Sequence, residues 1–477
     1  MRFIRNIEKT WLLILLVGVA LFAYSCEKNF LDLTPQQSVA EEEFLKTLSD
    51  FKAAILGIYD QLQLSDLYGR YTLLVPDVMG RDVKQNAQAN RAKAWAEYNG
   101  STSTVHRIDR EFWAEYYEAI NMANKIINAD YDPPTEQARK EYQQILGEAY
   151  ALRALCYFDL VRIFAQHYTF TADASHPGVP IVLQSDITQK PARNTVKEVY
   201  DQIISDFQKG IELMTMDPPN NGYMSKEAAQ ALLSRVYLYK EDWANAEAMA
   251  TAVINSGKFN LIPREEYKNM FFPDLSSEVI FGVIFTLTDN PGSNHLGRMY
   301  KASGYGDYLP SNDLLSLLDS TDVRWVMFRE DPNLGGEFGK YRVDKWPSEG
   351  SEIDTDDIPI IRLAEVYLNR AEARYHLGNY QGAIEDLMTV RRRAWPTAPD
   401  VTATGDALLE EILNERRREL CFEGHGIWDI TRYKMDLVRN DCTAPVCYVP
   451  YPDPRFVLPI PFEEVDVNPN IEQNPGY

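Results

Sequence analysis

Three glutamates recur every four residues in Glu415-Arg416-Arg417-Arg418-Glu419-Leu420-Cys421-Phe422-Glu423-Gly424-His425. On a helix that spacing puts Glu415, Glu419 and Glu423 on one face. Glycoside hydrolysis needs two carboxylates facing each other across a cleft, roughly 5–10 Å apart. Acids alternating with three arginines fit a structural ion-pair network better, and that is the expectation. A second acidic group, Glu349, Glu352, Asp354, Asp356 and Asp357, offers the oxygen ligands calcium takes, but without EF-hand spacing. A solvated acidic loop is expected there. There is no G-x-S-x-G, no H-E-x-x-H and no Walker loop. The 6 histidines are scattered, with no pair at metal-ligand spacing. Gly304-Tyr305-Gly306 is too short to propose a nucleotide fold. No catalytic residue, metal or cofactor is assigned.

The aromatic residues carry a different chemistry. The chain has 28 tyrosines, many of them in polar stretches between helical patterns. Trp95, Tyr98 and Asn99 fall in one such stretch, and Tyr300, Tyr305, Tyr308 and Trp346 in another. A flat ring stacks on the apolar face of a sugar while neighbouring amides and charges bind its hydroxyls. Arg81, Asp82 and Asn99 are the polar partners. Trp95, Tyr98, Asn99, Arg81, Tyr300, Tyr305, Tyr308 and Trp346 are therefore the candidate ligand residues.

Cys26 has its own chemistry. Arg2, Arg5 and Lys9 precede an apolar run over 11–22, and Ala23-Tyr24-Ser25 leads into Cys26. The run is too short to span a bilayer, but it fits a signal segment over 1–25. A Cys where cleavage falls reads as a lipidation site, so a lipid anchor on Cys26 is expected to hold the chain to a membrane. Two or three acyl chains anchor stably where one is marginal. Losing Arg2, Arg5, Lys9 and Glu8 removes a net +2 from −22 and leaves −24. That charge repels phosphate backbones and argues against nucleic-acid binding. Cys156 and Cys421 sit on apolar helix faces as small hydrophobes. Cys442 and Cys447 flank four residues of a Pro-rich loop, a spacing that suggests a local disulfide in an oxidising compartment.

The elements that position these residues are mostly helical. Tyr142, Ile145, Ala149, Leu152, Cys156, Leu160 and Ile163 step by three or four along one helix, with Thr135 as its N-cap. Leu155, Phe158 and Phe164 make further faces apolar, so that helix is covered on more than one side. Thr195 and Glu198 read as a capping box. A helix over 225–240 is followed by Trp243, Ala246, Ala250 and Val253. A helix over 358–377 is followed by Tyr380, Ala383, Leu387 and Val390, at an offset of 137 residues. Helix, tight turn, aromatic and small residues is the tetratricopeptide pattern. The expected fold is all-α, with tetratricopeptide-like helices at about 41–66, 111–166, 195–256 and 358–423. Long polar segments cover 76–110, 167–194, 285–357 and 440–477. The first, third and fourth are expected to form a large irregular, loop-rich ligand-binding subdomain.

Five blocks, in order, resemble the SusD/RagB family of outer-membrane nutrient-binding lipoproteins. They are Cys26-Glu-Lys-Asn-Phe-Leu-Asp-Leu-Thr-Pro35; Gly147-Glu-Ala-Tyr-Ala-Leu-Arg-Ala-Leu-Cys-Tyr-Phe-Asp-Leu-Val-Arg162; and Ile361-Arg-Leu-Ala-Glu-Val-Tyr-Leu-Asn-Arg-Ala-Glu-Ala373. The fourth runs from Glu415 to Arg432, and the fifth from Leu458-Pro-Ile-Pro461 to Gln473-Asn-Pro-Gly-Tyr477. The resemblance covers 26–477. It implies four tetratricopeptide-like helix pairs with an irregular subdomain, and no catalysis. It implies a lid on a SusC-like TonB-dependent outer-membrane transporter, with glycan as the usual ligand and peptide as the alternative. Glu27, after the anchor, resembles the charged residues the family associates with export to the cell exterior. The shared blocks are scaffold signatures, so the candidate ligand residues rest on chemistry and location alone.

Overall fold

The computed structural model describes residues 45–100, 106–186, 188–272, 275–352 and 354–477. The signal segment, Cys26 and Glu27 lie outside them. The long helices are α1 (Leu48–Gln63), α2 (Tyr71–Met79), α3 (His106–Asn128), α4 (Glu136–Phe164), α5 (Val196–Leu213), α6 (Lys226–Tyr239), α7 (Trp243–Ser256), α8 (Leu363–His376), α9 (Tyr380–Ala394) and α10 (Asp406–Leu420). Their starts follow capping chemistry. Thr47 and Thr195 form capping boxes with Asp50 and Glu198, and Thr135 and Ser225 each accept a first-turn N–H.

Consecutive helices pack side by side: α3 on α4, α4 on α5, α5 on α6, α6 on α7, α7 on α8 and α8 on α9. The α6–α7 and α8–α9 hairpins repeat each other locally. Asp242 and Asn379, also 137 residues apart in sequence, cap the second helix of each pair. Ala246, Ala250 and Val253 are buried at the first pair, as are Ala383, Leu387 and Val390 at the second. Small residues bring the axes together elsewhere too. A Cβ on Gly210 of α5 would stand 2.8 Å from the Gly147 carbonyl oxygen of α4. From Ala151 to Val161, α4 is buried on every face, as befits a helix with neighbours on several sides.

One expected boundary is wrong. The helix does not begin at 358. Residues Ile358–Arg362 form a buried strand that pairs antiparallel with Val279–Val283, so they belong to that ribbon and not to the helix expected over 358–377. The run Ile-Pro-Ile-Ile is β-branched apart from a proline that lacks an N–H, which disfavours a helix. The polar segments also carry more structure than expected. Val83–Gln85 pairs with Tyr308–Pro310, Phe328–Glu330 with Tyr341–Val343, and Leu437–Val438 with Tyr448–Val449.

Candidate functional site

The acids of the 415–423 segment are locked, although α10 ends at Leu420 and Glu423 therefore lies beyond the helix rather than on its face. Arg324 Nη1 lies 2.7 Å from Glu415 Oε1 and 3.1 Å from Glu419 Oε2. Arg362 Nη1 donates to Glu419 at 2.6 Å and its Nη2 to Glu423 at 2.8 Å. Arg391 and Arg418 hold Glu415, Arg393 holds Glu419, and Lys345 holds Glu423. Burial pushes the Glu415 carboxyl up, but Arg324, Arg391 and Arg418 overcome it and hold the group at about 2. Buried, ionised and fully engaged, these carboxylates face no cleft and hold no proton to donate near neutral pH.

The acidic loop is engaged as well. Asp354 takes Arg298 in a two-pronged pair, Asp356 takes Lys301 at 2.9 Å and the Ser348 N–H at 2.7 Å, and Asp357 accepts the Phe285 N–H at 2.7 Å. Asp356 and Asp357 are buried, so the expectation of a solvated loop is corrected for both. Their charge is met by cations and amides of the surrounding turns. Among the described residues, no cluster of His, Cys, Asp and Glu is placed to hold a metal ion.

The aromatic candidates separate by burial. Trp95, Tyr98, Tyr300, Tyr308 and Trp346 are at most 4% exposed and form the interior of the loop-built region. Trp346 packs edge-on against Phe271, and the Tyr98 hydroxyl donates to the Met79 carbonyl at 2.6 Å. Their rings offer no open face in this arrangement, because they pack into the main hydrophobic core. Tyr305 is different: it is half-buried, and Arg91 lies over its ring with Cζ 3.1 Å from the centroid. Asn99 is exposed and donates to Glu97 at 3.0 Å. Arg81 is half-buried and pairs with no carboxylate among the described residues. Burial and the nearby Arg417 lower its pKa. Asp82 is taken by Arg417.

A short ribbon brings Arg91 and Tyr305 together. Val83–Gln85 and Tyr308–Pro310 run antiparallel, with Gln85 opposite Tyr308. The chain therefore leaves the ribbon after Gln85 at the same end where it enters at Tyr308. Asn86 N donates to the Asp307 carbonyl at 2.8 Å, and Asn86 Nδ2 to the Gly306 carbonyl at 2.9 Å. Arg91 Nη1 reaches Asp307 at 3.2 Å, and the Tyr308 hydroxyl closes on the Arg91 carbonyl. Gly306 has φ +57°, and a Cβ there would stand 2.5 Å from Arg342 Nη1, so the turn after Tyr305 requires glycine. The Ser293 side chain lies near Tyr305 and lowers its pKa. On the far side of this turn, a cavity of about 330 Å³ opens between Lys301–Ser303 and Arg329–Pro332. A guanidinium stacked on a half-open tyrosine, ringed by amides and hydroxyls, suits a polyhydroxylated ligand with apolar faces. No spacing marks Arg91 in the sequence; its role appears only through the ribbon. Cys442 and Cys447 form a disulfide with Cα atoms 5.5 Å apart, and Thr443 between them donates to the Gln85 carbonyl at 2.7 Å.

Stacked helical hairpins that carry a loop-built region of this kind define a helical-repeat protein with its variable surface in the loops. The chain belongs to the SusD/RagB family. The family profile described as "SusD family" matches residues 329–477. A second, described as "Starch-binding associating with outer membrane", matches residues 29–238. A putative sugar binding protein of Bacteroides vulgatus superposes with a TM-score of 0.82 at 33% identity, covering 91% of this chain and 99% of that one. A SusD superfamily protein of Bacteroides thetaiotaomicron does so at 0.82 and 32%, covering 90% and 100%. A SusD-like protein of Formosa agariphila is 26% identical over 536 aligned positions, covering 100% of both chains.

Proposed function

We propose that this protein is a lipid-anchored glycan-binding protein of the outer membrane, facing the cell exterior, and the lid of a SusC-like TonB-dependent transporter. It would bind oligo- or polysaccharide and hand it to the barrel without chemical change. The observation that carries the ligand class is the Arg91–Tyr305 stack on the paired turns at the open end of the β-ribbon. The starch-binding description of the matching family and the sugar-binding name of a relative support the same class. The ion-paired state of Glu415, Glu419 and Glu423 supports a binding role over a hydrolytic one. Affinity at one stacked ring is modest, and docking on the transporter raises it through effective concentration.

Titration calorimetry with neutral oligosaccharides and, in parallel, mixed oligopeptides tests this reading. Saccharide binding is expected, weakened about tenfold (about 1.4 kcal/mol) by Tyr305→Ala or Arg91→Ala. Binding of peptides with no saccharide bound would make the ligand a peptide and overturn the glycan assignment. Trp346→Ala is the contrasting variant. Its ring is 0% exposed, so it should cost about 3–5 kcal/mol of folding stability, whereas Tyr305→Ala, at a half-buried ring, should cost clearly less.

A further inference from the structure

The segment 284–296 serves two places at once. Near one end, Ser293 meets Tyr305, and Asn294 accepts from Arg70 at 3.0 Å. At the other end, Ile284 and Asp289 wall a separate cavity of about 370 Å³, closed opposite by α1 and the turn 220–223. The cavity is braced from within. Gln63 Nε2 donates to the Ile284 carbonyl at 2.8 Å and to Asp289 at 3.3 Å. A Cβ on Gly222 would stand 2.6 Å from Ile284 Cδ1, so the turn packs closely on that side chain. Tyr223 meets Tyr59 edge-on, with ring centroids 5.2 Å apart. Tyr59 is fixed in turn, donating to Glu148 at 2.7 Å and accepting the Met224 N–H at 2.8 Å.

The lining is mixed in a specific way. Leu56, 49% exposed, stands with Tyr223 and Ile284 as apolar wall. Asp60, Asn220 and Asp289 supply acceptors and an amide, and among the described residues no Lys or Arg lines the space. We infer that this cavity is a second saccharide subsite, specific for neutral sugar units and separate from the Arg91–Tyr305 turn. The inference rests on the glycan reading above. Apolar ring faces fit the leucine and tyrosine wall, and hydroxyl groups donate to the two carboxylates. The same carboxylates repel uronate and sulfate groups, with no cation in the lining to offset them. The volume lies within the usual range for small-ligand sites, about 300–1,000 Å³. The shared segment 284–296 places this subsite and the first on one structural unit, so an oligomer that fills both gains from multivalency.

The test is titration calorimetry with maltoheptaose, cellohexaose and xylohexaose as neutral probes and oligogalacturonate as the anionic one. Wild type, Tyr305→Ala, Tyr223→Ala, Asn220→Ala and the Tyr223→Ala/Tyr305→Ala double variant are compared. Asn220 is exposed and its Oδ1 accepts the Gly222 N–H at 2.8 Å, so its variant leaves the core untouched and any structural effect is confined to the 220–223 turn, which an unchanged denaturant midpoint checks. A neutral probe should bind wild type about tenfold more tightly than it binds Asn220→Ala or Tyr223→Ala. Tyr305→Ala should keep residual binding of that probe, accept no oligogalacturonate, and lose the residue of binding when Tyr223→Ala is added. If wild type binds while Tyr223→Ala and Asn220→Ala match it, or Tyr305→Ala alone removes all binding, the second subsite is wrong and the glycan reading stands. The subsite is equally wrong if Tyr223→Ala alters only co-purification with a transporter, which would make the cavity a protein contact. If no neutral probe binds wild type, the glycan reading and the subsite fall together.

Discussion

Residue chemistry divides the charged groups into those that hold the fold and those that face outward. The buried carboxylates of α10 stay ionised because guanidiniums surround them. Glu365 behaves the same way: burial raises it, but Arg235 and its neighbours hold it at about 2. His425 is driven the other way, down to about 3, chiefly by burial, so it stays neutral inside. Each of these groups binds fewer protons folded than unfolded over part of the acid range, so each removes stability as pH falls. For His425 the loss starts near its unfolded value of 6.5 and continues toward 3. For Glu415 it starts near 4.5 and continues toward 2, and amounts to about 3 kcal/mol. The urea midpoint of the protein is therefore expected to decline below about pH 6.5 and more steeply below 4.5. A midpoint that stays level between pH 6.5 and 3 would contradict the ion-pair assignment.

At the scale of elements, close helix approach depends on residues without side-chain bulk. The α4–α5 crossing is the clearest case, because Gly147 and Gly210 face each other. A Cβ on Gly147 would stand 2.6 Å from Met214 Cγ, and one on Gly210 2.8 Å from the Gly147 carbonyl oxygen. Gly210→Val forces the helices apart and should cost about 1–3 kcal/mol, read as a lowered denaturant midpoint with unchanged m-value. A variant as stable as wild type would mean that the crossing is not set by these glycines. The β-ribbons clamp distant segments together, and the one between Val279–Val283 and Ile358–Arg362 is itself part of the core. Val83–Gln85 with Tyr308–Pro310 joins two segments distant in sequence, and the disulfide loop touches that ribbon through Thr443. Ile358–Arg362 with Val279–Val283 delivers Arg362 to the acids of α10 at the point where the chain turns into α8.

For the whole molecule, function depends on placement. An acidic chain with net charge −22 has weak affinity for anionic surfaces, and among the described residues no helix is long and apolar enough to cross a membrane. On the proposed reading, tethering falls to Cys26. Cys26→Ala should release the protein from the membrane fraction and impair glycan uptake by cells, while purified wild type and variant bind saccharide equally. Uptake supported equally well by the unacylated protein would remove the tethering role. Co-purification of a barrel transporter with the anchored form would support the lid role, since an interface of that kind buries on the order of 1,600 Å² or more.

The local sequence determined what depends on local geometry. Helical periodicity, the caps at Thr135 and Thr195, the matched hairpins offset by 137 residues and the acid–arginine alternation of α10 are properties of neighbours along the chain, and a helix expresses them wherever it is placed. The family blocks fall largely on these same helices, which is why the fold was legible. The candidate site was legible only in part. The two segments that would meet were readable as loops rich in aromatic residues, and Tyr305 was among them. Which rings would face solvent was not, because exposure depends on what the rest of the chain lays over each ring. Trp95, Tyr98, Tyr300, Tyr308 and Trp346 carry the same residue chemistry as Tyr305, yet they pack into the main hydrophobic core. Arg91 gained its place only when a three-residue ribbon set Gln85 opposite Tyr308. Likewise, Ile358–Arg362 became a strand because a distant partner was available. Tertiary structure decided these points for one physical reason: burial and strand pairing are non-local, and no spacing within a single segment encodes the partner.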